Sequence, residues 1–175
     1  IYSEYKANRS DAPDDLIPQF DYIRKSVEAF NLPSIELINY EADDLIATYS
    51  EQIIKKGGDV TIVSSDKDLM QLYKKNIRIY DPMKNKFINE EDIQKKFGVK
   101  AEKVIDVQSL AGDSSDNVPG VPGIGIKTAA ELINEYGTLE NLLTNSKNIK
   151  QNKRRETLIE NKQKAMISKK LVTLK

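Results

Sequence analysis

The sequence predicts an α/β protein: a mostly parallel central sheet in residues 1–110, followed by a helical helix-hairpin-helix region in residues 111–175. Three observations predict it. Between residues 34 and 80, β-branched runs alternate with amphipathic stretches in the order strand, helix, strand, helix, strand, the rhythm of parallel pairing. After Asp81 there is no convincing strand until the last few residues, only helical periodicity. A glycine-rich segment at residues 119–130 lies between two of those later helices.

Each element has a local reason. Residues 1–13 are polar and read as loop or frayed helix. Leu16, Phe20, Ile23, Val27 and Phe30 recur at spacings of three and four, which predicts an amphipathic helix after Asp14-Asp15, with Pro18 in its first turn. Asn31-Leu32-Pro33 ends it. Ser34 to Asn39 reads as a strand. Glu41 to Lys56 reads as a helix with Ala42, Leu45, Ile46, Tyr49 and Ile53 on one stripe, stopped by Gly57-Gly58. Asp59 to Ser64 is a short β-branched run, a buried strand. Asp66 to Tyr73 reads as helix and Ile77 to Tyr80 as strand. Residues 89–97, 101–110, 127–136, 139–143 and 154–170 all read as helices. No long Gly/Ser-rich stretch divides the two parts, so they are expected to pack together.

Composition narrows the chemistry. The 175 residues hold 27 basic and 27 acidic side chains and no histidine or cysteine. This excludes Cys/His zinc sites, disulfide scaffolds, cysteine nucleophiles and Ser-His-Asp triads. No apolar run is long enough for a membrane span. A hydrophobic content of 39 % suffices for a core at this length. The zero net charge conceals a gradient: residues 1–60 carry −6, residues 61–120 carry 0 and residues 121–175 carry +6. An acidic end suits divalent cations and a basic end suits phosphate backbones. The start, Ile1-Tyr2-Ser3-Glu4, is neither an initiator Met nor a signal peptide, and both ends read as cuts through a longer protein.

Three acidic clusters sit at the ends of elements: Glu41, Asp43 and Asp44 after the first strand, Asp66 and Asp68 after the second, and Asp113 and Asp116 in a turn after a helix. Helix capping accounts for any one of them. The first two fall where the carboxyl ends of parallel strands form a crevice. Seven carboxylates brought together there would repel one another unless cations neutralised them. Without His or Cys the donors are all oxygen, which selects magnesium or manganese. Two such ions roughly 3.5–4 Å apart are the usual apparatus of phosphodiester hydrolysis.

Residues 119–130 read Pro-Gly-Val-Pro-Gly-Ile-Gly-Ile-Lys-Thr-Ala-Ala. A plain Gly/Pro turn is one reading. The other is a helix-hairpin-helix that binds duplex backbone: Gly120, Gly123 and Gly125 let the main chain come close to a partner, Ile124 anchors the tip, and Lys127 and Thr128 open a helix whose amides point at phosphate. The Walker spacing is absent. Lys147, Lys150, Lys153, Arg154 and Arg155 either extend a phosphate track or form an ordinary exposed loop. By composition, Lys6 and Arg9 read as solvated surface.

Five segments occur in order: Tyr5-Lys6-Ala7-Asn8-Arg9, Glu41-Ala42-Asp43-Asp44-Leu45, Ser65-Asp66-Lys67-Asp68-Leu69, Gly112-Asp113-Ser114-Ser115-Asp116-Asn117 and Gly120-Val121-Pro122-Gly123-Ile124-Gly125. Together they resemble the 5′-3′ exonuclease domain of bacterial DNA polymerase I, within the flap endonuclease family, over essentially the whole chain. The resemblance implies a PIN-like 5′ nuclease core with an H3TH region behind it. It implies a structure-selective nuclease that removes 5′ flaps and RNA primers with two ions, Mg2+ or Mn2+. Glu41, Asp43, Asp44, Asp66 and Asp68 would belong to the first ion's side, and Asp113 and Asp116 to the second. Lys6 and Arg9 would match the basic pair of a helical arch, with Lys6 stabilising the transition state. The hairpin would grip the duplex, in the family often with a potassium ion (K+) held by backbone carbonyls. The partners implied are DNA and a covalently linked polymerase domain in a monomer, in the bacterial cytoplasm at the nucleoid.

The pattern departs from the family in one respect. The family begins with a strand carrying a metal-binding aspartate, and a second aspartate lies before the arch; both precede the Tyr-Lys-Ala-x-Arg segment, so this chain alone is expected to have an incomplete metal site and an exposed sheet interior and to be weak or inactive. Two rivals stand beside the nuclease: a DNA-structure-binding module without catalysis, and a PIN-type ribonuclease, against which the hairpin speaks.

Overall fold

A computed structural model describes residues 2–175. Helix α1 spans Gln19–Ala29 and α2 Ala42–Lys55. Strands β1 (Val60–Val63), β2 (Ile77–Asp81) and β3 (Lys86–Ile88) follow, with a 3₁₀ turn at Asp68–Leu72 between β1 and β2. Then come α3 (Glu90–Phe97), α4 (Val104–Ala111), α5 (Ile126–Tyr136), α6 (Leu139–Thr144), α7 (Asn152–Glu160) and α8 (Lys162–Val172).

The sheet has the order β1-β2-β3. β1 and β2 are parallel, with Ile62 opposite Ile79, and β3 runs antiparallel to β2, with Ile88 opposite Ile79. The sheet is therefore mixed rather than mostly parallel. Strand β3 was not expected, yet its turn has a clear cause. Asp81, 1 % exposed, accepts the Met83 and Lys84 N–H groups and pairs with the Lys84 ammonium at 2.7 Å, while Asn85 takes the left-handed conformation that closes the hairpin.

Residues 34–39 do not form the expected strand. They run as exposed loop, because among the described residues no strand lines up beside them and an unpaired strand has no ladder hydrogen bonds to hold it. The stretch 66–73 is a 3₁₀ turn over its middle rather than an α-helix. The stretch 154–170 is two helices, α7 and α8, broken at Asn161. The final residues form no strand. Helix α1 forms as the periodicity predicts but begins only after Pro18, and none of its residues is buried.

Packing joins the two parts. One continuous core runs from Ile62, Ile77 and Ile79 of the sheet through Ile93 and Phe97 of α3 and Val104, Val107 and Leu110 of α4 to Leu132, Leu142 and Leu158. Helix α4 is buried on nearly all sides and packs on α5 and α8. At its end, Gly112 and Gly120 lie back to back with left-handed φ of 71° and 58°. A Cβ on Gly120 would come within 2.5 Å of the Gly112 nitrogen, and one on Gly112 within 2.6 Å of the Val118 oxygen. Only glycine fits both positions. Between them, Asp113 and Val118 exchange both main-chain hydrogen bonds, which closes a tight loop.

Candidate active site

Three connections deliver carboxylates to one cavity. Its lining includes Glu41 and Asp43 from the start of α2, Asp68 from the turn after β1, and Asp113 and Asp116 from the loop after α4, with Tyr5 and Leu174 at its sides. Five of the seven expected acidic residues thus meet. Asp66 does not line the cavity wall, although its charge is close enough to raise the Asp43 carboxyl. Its Oδ1 accepts the Asp68 N–H at 2.9 Å and its own N–H donates to Ser64 Oγ, so it shapes the turn that aims Asp68. Asp44 also stands apart: its carboxylate accepts the Lys175 N–H at 2.9 Å and the Glu41 N–H at 3.4 Å, a capping role.

Basic groups stand among these acids. Lys6 pairs with Glu41 and reaches Asp116 at 3.7 Å, Arg9 pairs with Asp116, and Lys67 pairs with Asp113. The main chain locks this arrangement. The Lys6 N–H donates to the Asp116 carbonyl at 2.9 Å, Asn8 Nδ2 to the Ser114 carbonyl at 2.7 Å, and Asn117 Nδ2 to the Glu4 carbonyl at 2.6 Å. Composition alone made Lys6 and Arg9 look like solvated surface, but residues 4–9 are strapped to the loop 113–117.

The electrostatics follow from crowding. Burial, with Asp66, Asp68 and Glu41 close by, pushes the Asp43 carboxyl up to about 6. Asp68 is raised by burial and by Asp66, against a hydrogen bond from Gln108 that lowers it. Burial works against the Asp113 charge too, but the Lys67 ammonium and the Ser115 N–H more than offset it and hold this carboxyl below the ordinary range. Among the described residues no three carboxylates close into a group that could hold a metal ion: Glu41, Asp113 and Asp116 turn toward cations and Asp68 toward an amide. The donor set is nonetheless chemically suited to a hard divalent cation: every donor is oxygen, and a cation would offset the crowding that raises Asp43 and Asp68.

This crowding has a measurable consequence. Asp43 has a folded-state value near 6 and an ordinary unfolded value near 3.9, so its contribution to stability is fully present only below pH ~4 and is lost as the pH rises through 6. Asp43→Asn removes the penalty. At pH 7.5 in chelator the variant is expected to melt about 2–4 °C above the wild type, the shift that ~1 kcal/mol makes at this size. The difference should vanish at pH 4. A variant less stable than wild type at pH 7.5 would contradict it.

The hairpin follows immediately. Gly125 caps α5, and a Cβ on Gly123 or Gly125 would meet nothing within 4 Å, so the main chain there is open to a partner. Lys127 is exposed and Thr128 half-buried. Gly120 and Ile124 face inward instead. Gly120 is buried and donates its N–H to Ser168 Oγ at 2.9 Å, and Ile124 is 5 % exposed. Pro122, Gly123, Ile124 and Thr128 share a groove with Lys153 and Arg154 of α7, so part of the basic stretch lies beside the hairpin.

Two residues at the site were not singled out from the sequence. Lys67 lies between two expected acids and could have been noticed as their counter-charge. Gln108 lies in α4, 2 % exposed, and its Nε2 donates to Asp68 Oδ1 at 2.6 Å. Its only signal is a long polar side chain in the largely buried helix Val-Ile-Asp-Val-Gln-Ser-Leu.

Comparison with known proteins accords with this layout. Two family models cover the chain end to end: "5′-3′ exonuclease, N-terminal resolvase-like domain" over residues 1–98 and "5′-3′ exonuclease, C-terminal SAM fold" over residues 99–175. DNA polymerase I of Rhizobium leguminosarum is 57 % identical over 175 residues, which are 100 % of this chain and 17 % of that protein. A 5′-3′ exonuclease of Buchnera aphidicola subsp. Acyrthosiphon pisum is 39 % identical over 181 residues, covering 100 % of this chain and 63 % of that one. Among solved structures, the T5 D15 protein co-crystallised with metal ions superposes with a TM-score of 0.85 at 24 % identity, over 98 % of this chain and 68 % of that one. The fold is that of a 5′-3′ exonuclease domain. The chain belongs to the 5′-3′ exonuclease family, and it spans about a fifth of the length of the DNA polymerase I relatives it matches.

Proposed function

We propose that this domain hydrolyses phosphodiesters at the 5′ ends of flaps and primers in duplex DNA, as a structure-selective 5′-3′ exonuclease and flap endonuclease. The observation that carries the proposal is the meeting of Glu41, Asp43, Asp68, Asp113 and Asp116 in one cavity, one glycine contact away from an open hairpin. Glu41, Asp43 and Asp68 would hold one divalent ion, magnesium or manganese, and Asp113 and Asp116 a second. Such a pair supplies an activated water and neutralises the leaving oxygen.

The chain's own residues do the rest. Lys6 and Arg9, now paired with Glu41 and Asp116, are within reach of a phosphate entering the cavity and would exchange carboxylate partners for it. Their charges then oppose the negative charge that grows on the phosphate during displacement. Gly123, Gly125, Lys127 and Thr128 would hold the duplex by its backbone, without reading sequence. A potassium ion at the hairpin carbonyls, a monomeric state, a linked polymerase domain and a bacterial cytoplasmic setting complete the reading. A T5 D15 flap endonuclease structure at 24 % identity is described as a complex with DNA and metal ions, which supports it.

The test uses the full-length protein that carries this domain and a labelled 5′-flap duplex. Cleavage is expected with magnesium or manganese, to be lost in chelator and to return when the ion is restored. Absence of cleavage with both ions would reject the nuclease reading.

A further inference from the structure

Gln108 is the one buried side chain among the described residues with an unsatisfied polar atom: its Oε1 has no hydrogen-bond partner. A buried amide oxygen left unpaired is destabilising, so packing alone does not favour this residue over an apolar one of like volume. Its other end has a definite task. Nε2 donates to Asp68 Oδ1 at 2.6 Å, and Gln108 is the only side chain donating to that carboxylate among the described residues. The helix that carries it is held in place on nearly all sides, and its last turn leads into Gly112 and Asp113. The same short helix therefore grips one cavity acid through a side chain and presents another from its end.

We infer that Gln108 is a positioning residue: its amide fixes the Asp68 carboxylate so that the remaining oxygen faces the cavity, which sets the affinity of the site for its divalent ion. This rests on the metal-ion reading above. An amide suits the task because it donates without carrying charge. A lysine there would neutralise Asp68, and an apolar residue would leave the carboxylate free to turn toward Lys67.

The test is calorimetric titration of manganese into the chelator-stripped full-length protein, with wild type, Gln108→Leu, Gln108→Met and Asp68→Asn side by side, so that sites elsewhere in the chain contribute equally. Leu and Met keep the volume and remove the amide. Both are expected to weaken the manganese binding that Asp68→Asn abolishes by ~10–100-fold, the usual effect of losing a hydrogen bond to a metal ligand. Both are expected to melt close to the wild-type temperature, because removing the orphaned oxygen offsets the lost hydrogen bond to Asp68. Flap-DNA affinity in chelator should not change. Wild-type manganese binding in either variant that folds would overturn the inference while leaving the metal reading intact. Lower melting temperatures in both variants would make Gln108 a packing residue and overturn it as well. If Asp68→Asn binds manganese as wild type does, the metal assignment of Asp68 fails first and takes this inference with it.

Discussion

Asp116→Asn in the full-length protein is expected to lower flap cleavage by at least ~100-fold, while flap binding in chelator stays within about threefold of wild type. The substitution keeps size and hydrogen bonding but removes a charge. That charge has three partners here: the Arg9 guanidinium, the Lys6 ammonium at 3.7 Å and, in the proposed mechanism, a divalent ion. The loop itself should survive, since it is closed by main-chain bonds between Asp113 and Val118 and by the Lys6 N–H on the Asp116 carbonyl. The hairpin lies beyond that loop and keeps its grip. Cleavage at the wild-type rate would remove Asp116 from the site. Loss of binding together with cleavage would mean that the residue holds the loop rather than the chemistry.

Gly120→Ala is expected to destabilise the domain by ~2–4 kcal/mol. An L-residue pays roughly 1–2 kcal/mol in this left-handed conformation, and overpacking adds a comparable amount. The added methyl would point at the Gly112 nitrogen and the Ala111 carbonyl carbon, both main-chain atoms that cannot turn aside. It would also strain the N–H bond to Ser168. At this chain length the cost corresponds to a melting temperature lower by about 5–15 °C, readable by circular dichroism. Cleavage should fall further than stability explains, because the contact spaces the acidic loop from the hairpin. Gly123→Ala is the control: its Cβ meets nothing within 4 Å, so only the conformational cost applies. Equal melting temperatures for Gly120→Ala and wild type would refute the tight contact.

The parts of this molecule that were legible in the sequence are those whose cause is local. The spacing of Leu45, Ile46, Tyr49 and Ile53 predicts α2. Gly57-Gly58 predicts its end, and the absence of His and Cys predicts oxygen chemistry. The acids at 41–44, 66–68 and 113–116 could be placed near one another because strand and helix ends in an α/β fold converge.

What could not be read depends on partners distant in sequence. Ser34 to Asn39 has the composition of a strand, but a strand exists only where another pairs with it. Lys86-Phe87-Ile88 is too short to declare itself, and it becomes β3 because Asp81 turns the chain back on β2. Asp44 and Asp66 look like their neighbours in the sequence, and only the fold shows that Asp44 accepts the Glu41 N–H at the start of α2 and that Asp66 shapes the turn before Asp68. Gln108 was invisible because its meaning lies in an acid forty residues away.

The strap between residues 4–9 and the loop 113–117 has one more consequence. Its bonds are main chain to main chain or side-chain amide to carbonyl, so they hold without regard to charge. Protonation, added salt or an arriving phosphate can exchange the ionic partners of Lys6 and Arg9 while the strap persists. The cations and the loop acids are thus mounted on one chassis. If the loop shifts, both shift together, and the spacing between the cations and the loop acids is inherited from the backbone rather than set by their ion pairs.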